Sequence, residues 1–367
     1  MPPPSNTRSD DGGNGSGPDA SYRPVHEDFE IAVICALPIE SSALLYLFDE
    51  FFDGDDNPQT LAASDRNHYS TGRIGRHNVV LALLPSIGKA AAAGAAASLR
   101  ASYCNVRVAL LVGICGGVPS AELLLGDVVI SNALVQYDLG RRWPGGVFAR
   151  KNTLQESLGR PNKDIRALLK RLETDRDHDR LERRTAYYLQ KLQESYAKRG
   201  KKRRSGKYKY PGVDEDELFH ADYRHRHRFA SCCSDEATCA RALESSCDEV
   251  GCEESYLILD RENLKEKEDL EKQGPAKAQE PAIYIGPVAS GDTVMKSGED
   301  RDLIAREEGI IAFEMEGAGV WDEIPCIVVK GICDYADSHK HKRWQEFAAA
   351  TAASATKALL ETLATVD

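Results

Sequence analysis

Seven short apolar runs constrain this chain more than any other feature: residues 30–36 (EIAVICA), 78–84 (NVVLALL), 106–112 (VRVALLV), 125–131 (LGDVVIS), 283–289 (IYIGPVA), 310–313 (IIAF) and 326–329 (CIVV). Each is short and rich in β-branched residues, the pattern of a strand covered on both faces. Helical apolar spacing lies between them, at 39–48 behind Pro38, in the Ala-rich 90–102, and at 299–308 and 344–363. Strands alternating with helices predict an α/β fold. Ligands of open α/β sheets bind beyond the carboxyl ends of the strands. Residues 310–337 are therefore a candidate site, because Glu314 and Glu316 follow one run directly and Asp334 closely follows the next. Glu40 stands at a further strand-to-helix junction, where the helix dipole favours a carboxylate.

Changes in composition divide the chain. Residues 1–27 are rich in Pro, Ser, Gly and Asp, which predicts a disordered tail. Residues 28–147 carry the first half of the α/β core and 281–367 the second. Between them, 148–280 turns dense in charge, with a basic run at 198–209 and a Lys/Glu-rich stretch at 257–279. It reads as a long insertion, with helix at 162–172 and 186–197. A net charge of −11 argues against a nucleic-acid partner, yet leaves room for a small anionic ligand at a local cluster. No apolar run is long enough to span a bilayer. Ten cysteines in no regular framework, with no signal peptide, predict reduced thiols and a cytoplasmic location.

Several motifs fall short of the chemistry they outline. Gly88-Lys89 lacks the remaining glycine and the Ser or Thr of a phosphate loop. Residues 113–117 (GICGG) predict a glycine turn suited to a flat ligand, with the outline of a nucleophile elbow around Cys115, but no helix is legible behind it. His220, His225, His227, Cys232, Cys233, Cys239, Cys247 and Cys252 crowd one part of the insertion. They lack paired C-x-x-C spacing, so no metal is expected there.

Seven tags in order and spacing carry a resemblance: ICALPIE (34–40), SIGKAAAA (86–93), VGICGG (112–117), GDVVIS (126–131), ASGDTVM (289–295), FEMEG (313–317) and CDYAD (333–337). The chain resembles the nucleoside phosphorylase/nucleosidase superfamily over about 29–138 and 283–363. It is nearest in flavour to methylthioadenosine/adenosylhomocysteine nucleosidases and to fungal nucleosidase-like domains, which LFHADYRH (218–225) resembles.

The resemblance implies a three-layer αβα sandwich with a mixed central sheet, interrupted by the insertion. It implies cleavage of a purine N-glycosidic bond, with no cofactor and no metal. Asp334 would protonate the leaving base, Glu316 behind Met315 would take the ribose hydroxyls, and Glu40 would hold the attacking water. Ser86, Cys115, Gly116 and Gly117 would line the pocket, the backbone near Val294 would read the base edge, and Trp344 would pack over the ligand. Lys330 stands where bacterial nucleosidases carry arginine. The Gly-Asp-Pro-x-Arg phosphate motif of hexameric phosphorylases is absent after the first strand, favouring water as nucleophile. The expected partner is a purine nucleoside or nucleotide, with phosphates reaching Arg73, Arg76 or the basic insertion. The family implies a homo-oligomer. Fungal relatives often precede signalling modules, whereas here little follows the final helix, so a free-standing enzyme is expected.

Overall fold

The computed structural model describes residues 24–52, 61–119, 122–146, 148–151, 158–198, 206–228, 232–233 and 238–363. Residues 1–23 of the expected tail lie outside them. The rest of that tail is packed: His26–Asp28 forms a single helical turn, and the His26 ring lies 4.6 Å from that of Tyr103.

In chain order the elements are β1 (Ile31–Cys35), α1 (Pro38–Leu45), β2 (Glu50–Phe51), β3 (Tyr69–Ile74), β4 (His77–Leu83), α2 (Lys89–Ser102), β5 (Val108–Gly117) and β6 (Val128–Gln136). A small hairpin, β7 (Gly140–Arg142) and β8 (Phe148–Arg150), leads to α3 (Lys163–Leu172) and α4 (Asp175–Lys198). Then come α5 (Cys247–Val250), α6 (Glu262–Gln273), α7 (Pro275–Ala278), β9 (Ile283–Ser290) and α8 (Gly298–Glu308). The chain returns through β10 (Ala312–Glu314), α9 (Gly317–Trp321), β11 (Cys326–Asp334) and α10 (Gln345–Leu360).

Nine strands form one mixed sheet in the order β10-β9-β6-β11-β5-β1-β4-β3-β2. β1, β4, β5 and β11 run parallel, while β3–β4 and β6–β11 are antiparallel. β10 pairs with β9 on one side and antiparallel with β5 on the other, through Ala312–Gly117 and Phe313–Gly116. That double pairing curls the sheet shut and brings Glu314 and Glu316 over the ends of β5 and β11.

Two expectations are corrected by packing. The glycines of 113–117 make no turn: β5 continues through Gly117 as a central strand. The helices expected at 162–172 and 186–197 form as α3 and the longer α4, and α4 packs on the core. Leu181, Thr185, Tyr188, Leu189 and Leu192 form one buried stripe on α4, which packs against α10. In consequence α10 is not amphipathic as expected: every residue from Phe347 to Leu360 is buried, between the sheet on one side and α1 and α4 on the other. Its run of alanines permits that close approach. Lys357, buried in α10, reaches Asp49 Oδ1 at 2.6 Å and the Leu47 carbonyl at 2.7 Å.

Candidate active site

The carboxyl ends of β1, β5, β10 and β11 meet around a cleft of about 280 Å³. Its walls include Glu40, Ile87, Cys115, Gly116, Val294, Met315, Glu316, Asp334 and Lys340. Carboxylates delivered by three separate strand ends therefore converge, as their positions in the sequence predict.

Glu40 enters from the first turn of α1, with Pro38 opening the helix. The backbone N–H groups of Ala36 and Leu37 donate to its Oε2 (2.9 and 2.8 Å), and that of Ile114 donates to Oε1 (2.9 Å). The side chain lies directly over Gly113, where any Cβ would collide with the carboxylate. Glycine in β5 thus makes room for an acid, not a turn. Burial pushes the Glu40 carboxyl up, against the opposing pull of Lys330 and two backbone N–H groups. Among the described residues Oε1 accepts a single hydrogen bond, which leaves it a lone pair for water.

Glu316 caps the short α9, accepting from the Gly88 N–H (3.2 Å) and from Lys330 Nζ (3.3 Å). Glu314 turns back to accept from the Glu316 and Gly317 N–H groups (3.1 and 2.9 Å), so it shapes the β10–α9 corner. Burial pushes Glu314 up as well, with Lys330 opposing it. Lys330 itself is 1% exposed, at the middle of β11. Burial alone would lower its ammonium, but Glu316, Glu40 and Glu314 outweigh that and hold it up, charged. One buried lysine is thereby shared among three buried carboxyls.

Asp334 sits at the far end of β11, after an irregularity that places it opposite Gly116. A Cβ on Gly116 would lie 2.8 Å from Asp334 Oδ1, so this glycine opens the space the aspartate occupies. Oδ1 accepts from the Ala336 N–H (2.9 Å) and pairs with Lys340 Nζ at 2.8 Å. Lys340 is raised: burial works against its charge, and Asp334 more than compensates. No sequence motif had singled it out, since it lies among the charges of 337–343 with no periodicity to mark it.

The loop behind Glu316 is pinned independently. Lys89 Nζ pairs with both Asp138 oxygens (2.5 and 2.6 Å), the Lys89 N–H donates to Asp292 Oδ1 (2.8 Å), and the Asp292 N–H donates to Asp138 Oδ2 (2.7 Å). Gly88-Lys89 is thus a brace for Glu316, and the Lys89 ammonium is committed.

The remaining expected residues divide. Cys115, Gly116, Val294 and Met315 line the cleft. Cys115 is buried, which pushes its thiol up and leaves no thiolate for nucleophilic attack. Gly117 lies one layer behind, against Leu123 and Ile332. Ser86 is exposed, and its loop meets the cleft through Ile87 instead. Trp344 does not cover a ligand. It is 1% exposed, stacked edge-on to Tyr210 and Phe347, with its indole N–H donated to the Glu215 carbonyl (2.7 Å). The neighbouring Gln345 reaches the cleft. Arg73 and Arg76 stand at the β3–β4 turn, at the amino end of β4 and so at the opposite end of the sheet from the cleft. Over the length of β4 that is roughly 20 Å, too far to meet phosphates of a ligand bound there.

The His and Cys residues that lack paired spacing in the sequence lie close together in space. Seven of the eight His and Cys residues of 220–252 converge in two groups whose atoms could hold a metal ion, His227/Cys232/Cys233/Cys239 and His225/Cys247/Cys252. His220 belongs to neither. Among the described residues no helix is long and apolar enough to cross a membrane.

Comparison with known proteins bears on this arrangement. A family model described as "Phosphorylase superfamily" matches residues 30–207. A nucleotide-binding leucine-rich repeat (NLR)-like protein of Hyaloscypha variabilis is 32% identical over 343 residues, covering 91% of this chain and 29% of that protein. A 5'-methylthioadenosine/S-adenosylhomocysteine nucleosidase of Mycobacterium bovis is 34% identical over 110 residues, 30% of this chain and 39% of the relative. The chain thus spans well under half the length of either. Among solved structures, futalosine hydrolase of Helicobacter pylori superposes with a TM-score of 0.51 at 16% identity, over 92% of this chain and 100% of that one. A mutant of Helicobacter pylori MTAN with 5'-methylthioadenosine in its active site gives 0.51 at 17%, over 91% and 99%. At such identities these two establish the fold.

Proposed function

The chain belongs to the phosphorylase superfamily, and from that premise we propose that it is a nucleosidase hydrolysing the N-glycosidic bond of adenosine-like purine nucleosides. The observation that carries this reading is the grouping of Glu40, Glu314 and Glu316 around one ammonium, Lys330, at one end of the cleft, with Asp334 at the other. A departing purine leaves the sugar oxocarbenium-like. An excess of carboxyl groups over cations is suited to stabilise that positive charge. The base must leave protonated, and Asp334 is placed to hold a proton against the purine ring nitrogen. An aspartate also accepts from an exocyclic amino group, which admits adenine. Glu316 takes the ribose hydroxyls, and the free lone pair of Glu40 Oε1 orients the water. No step requires a cofactor.

Water is favoured over phosphate by the cations. Among the described residues lining the cleft, Lys340 is the sole cationic side chain, and it is committed to Asp334. Lys330 lies behind Glu316. A phosphate nucleophile, or the phosphates of a nucleotide, would find no uncommitted partner there. The test is to incubate the protein with adenosine, first without and then with inorganic phosphate, and to score released adenine by chromatography. Adenine in phosphate-free buffer supports hydrolysis. Release only with phosphate reassigns the reaction to phosphorolysis, and no release from adenosine or ATP removes the adenine assignment.

A second reading rests on the NLR-like relative, of which this chain matches less than a third. In it the cleft binds a purine nucleoside as the sensing part of a larger receptor. Calorimetric binding of adenosine without turnover, unchanged in Asp334→Asn, would favour the sensor.

A further inference from the structure

The Cys/His segment folds without a core of its own. Among the described residues of 224–255, only His225, Ala242 and Val250 are buried. Two apolar side chains cannot order a stretch of that length, and small units in this position are usually stapled by a metal or by disulfides.

Its seven ligand atoms are arranged as a metal would arrange them. His227 Nδ1 stands 3.3 Å from Cys232 Sγ, 3.6 Å from Cys233 Sγ and 3.5 Å from Cys239 Sγ. Cys239 Sγ is 3.8 Å from Cys232 Sγ. A tetrahedral zinc with ordinary bond lengths sets its ligands about 3.6 Å apart for nitrogen to sulfur and about 3.8 Å for sulfur to sulfur. A single imidazole nitrogen cannot serve three thiols as hydrogen-bond partners, whereas an ion at the centre of the group satisfies all four atoms.

The second group repeats the geometry. His225 Nδ1 is 3.6 Å from Cys247 Sγ and 3.5 Å from Cys252 Sγ. Its other nitrogen, Nε2, lies 2.9 Å from the Ala242 carbonyl and 3.0 Å from that of Ser245. Two acceptors there require the proton on Nε2, which leaves the Nδ1 lone pair facing the sulfurs. That is the tautomer of a ligating histidine, fixed by its outer hydrogen bond.

We propose that this segment binds two zinc ions, one through His227, Cys232, Cys233 and Cys239, the other through His225, Cys247 and Cys252 with a fourth position open. Thiolate-rich tetrahedral sets suit zinc over magnesium or calcium. The sites are structural, and they adjoin the cleft. The His225 backbone N–H donates to Ser338 Oγ (3.0 Å), and the His339 ring lies 4.0 Å from Phe219 and 5.6 Å from His225. Ser338 and His339 immediately precede Lys340, the partner of Asp334. Zinc would therefore position the loop that presents Lys340 to the base-side acid.

The test is elemental analysis of the full chain purified without added metal or chelator. Two equivalents of zinc per chain are expected, falling to one in Cys232→Ser/Cys239→Ser and to one in Cys247→Ser/Cys252→Ser. Should either variant fail to fold, cobalt exchanged into the unaltered protein gives the same answer through thiolate-to-cobalt absorption of a tetrahedral site. Chelation should open 225–252 to protease while the α/β core keeps its circular dichroism. No bound metal, iron in place of zinc, or disulfides among these five cysteines under non-reducing mass spectrometry would overturn the proposal. One equivalent, lost only with the first variant, would overturn the second site.

Discussion

Two lysine–carboxylate pairs stand at the two ends of one cleft, and different parts of the molecule hold them. Lys330 is part of β11, hydrogen-bonded into the sheet on both sides, with its charge shared among Glu40, Glu314 and Glu316. Lys340 lies on the loop between β11 and α10, reached by the Cys/His segment through Ser338 and His339. Arg261 clamps the same loop by donating to Tyr335 Oη and Asp216 Oδ1 (2.7 and 2.8 Å), and Arg301 donates to the Tyr335 carbonyl (2.8 Å). The Glu316 end is therefore built by the sheet, and the Asp334 end by packing between the sheet and the charged segment. On the proposed nucleosidase reading, the sheet fixes the bond to be broken, and the loop can alter which base is read.

The largest effect expected from that division falls on chemistry alone. Asp334→Asn should lower adenine release by roughly 10²–10⁴-fold, the range for loss of a general acid. Its thermal unfolding should stay close to that of the unaltered chain, because Asp334 is at the base end. Lys330→Met should act in the opposite sense. It strands buried carboxyls without a counter-charge, a loss of about 3–5 kcal/mol in denaturant unfolding. Lys340→Met should cost about 1 kcal/mol in the same measurement, since its pair is partly exposed, while slowing turnover. Equal stability losses in the two lysine variants would break the comparison.

The smallest effect belongs to the seam between the two regions. Asp127 accepts from the Leu124 and Ala282 N–H groups and faces Lys267 of the charged segment. Burial raises its carboxyl from 3.8 to about 6, against the opposing influence of Lys267. A raised carboxyl contributes stability that is full below its ordinary value and is lost as pH rises through the folded one. Between pH 3.8 and about 6 this residue should therefore make the protein less stable as pH rises. Asp127→Asn should flatten that part of a Tm-against-pH profile, and an unchanged slope would remove Asp127 from the account.

Much of this was legible in the sequence wherever one residue type does one job. Continuous β-branched runs located strands of the central sheet, and acids directly after them located Glu316 and Asp334. What stayed hidden was set by neighbours distant in the chain. GICGG reads as a turn because glycine permits one; only the approach of Glu40 and Asp334 shows that the strand needs the missing side chains. The stripe on α4 is masked by charges between its apolar positions, so α10 was expected to face solvent when α4 covers it. Trp344 looked available for a ligand because its anchor, the Glu215 carbonyl, comes from the other region. The Cys/His ligands have irregular spacing because they are gathered from loops, and spacing rules describe compact turns.

Attack of water on the sugar of a purine nucleoside held between Glu316 and Asp334 is the proposed reaction. It is tested most directly by running the reaction on adenosine in water labelled with heavy oxygen, with phosphate absent, and analysing the sugar by mass spectrometry. The account predicts free adenine and ribose carrying one labelled oxygen, attached under conditions that prevent exchange after release. Unlabelled sugar, or a sugar phosphate formed only once phosphate is supplied, would contradict it.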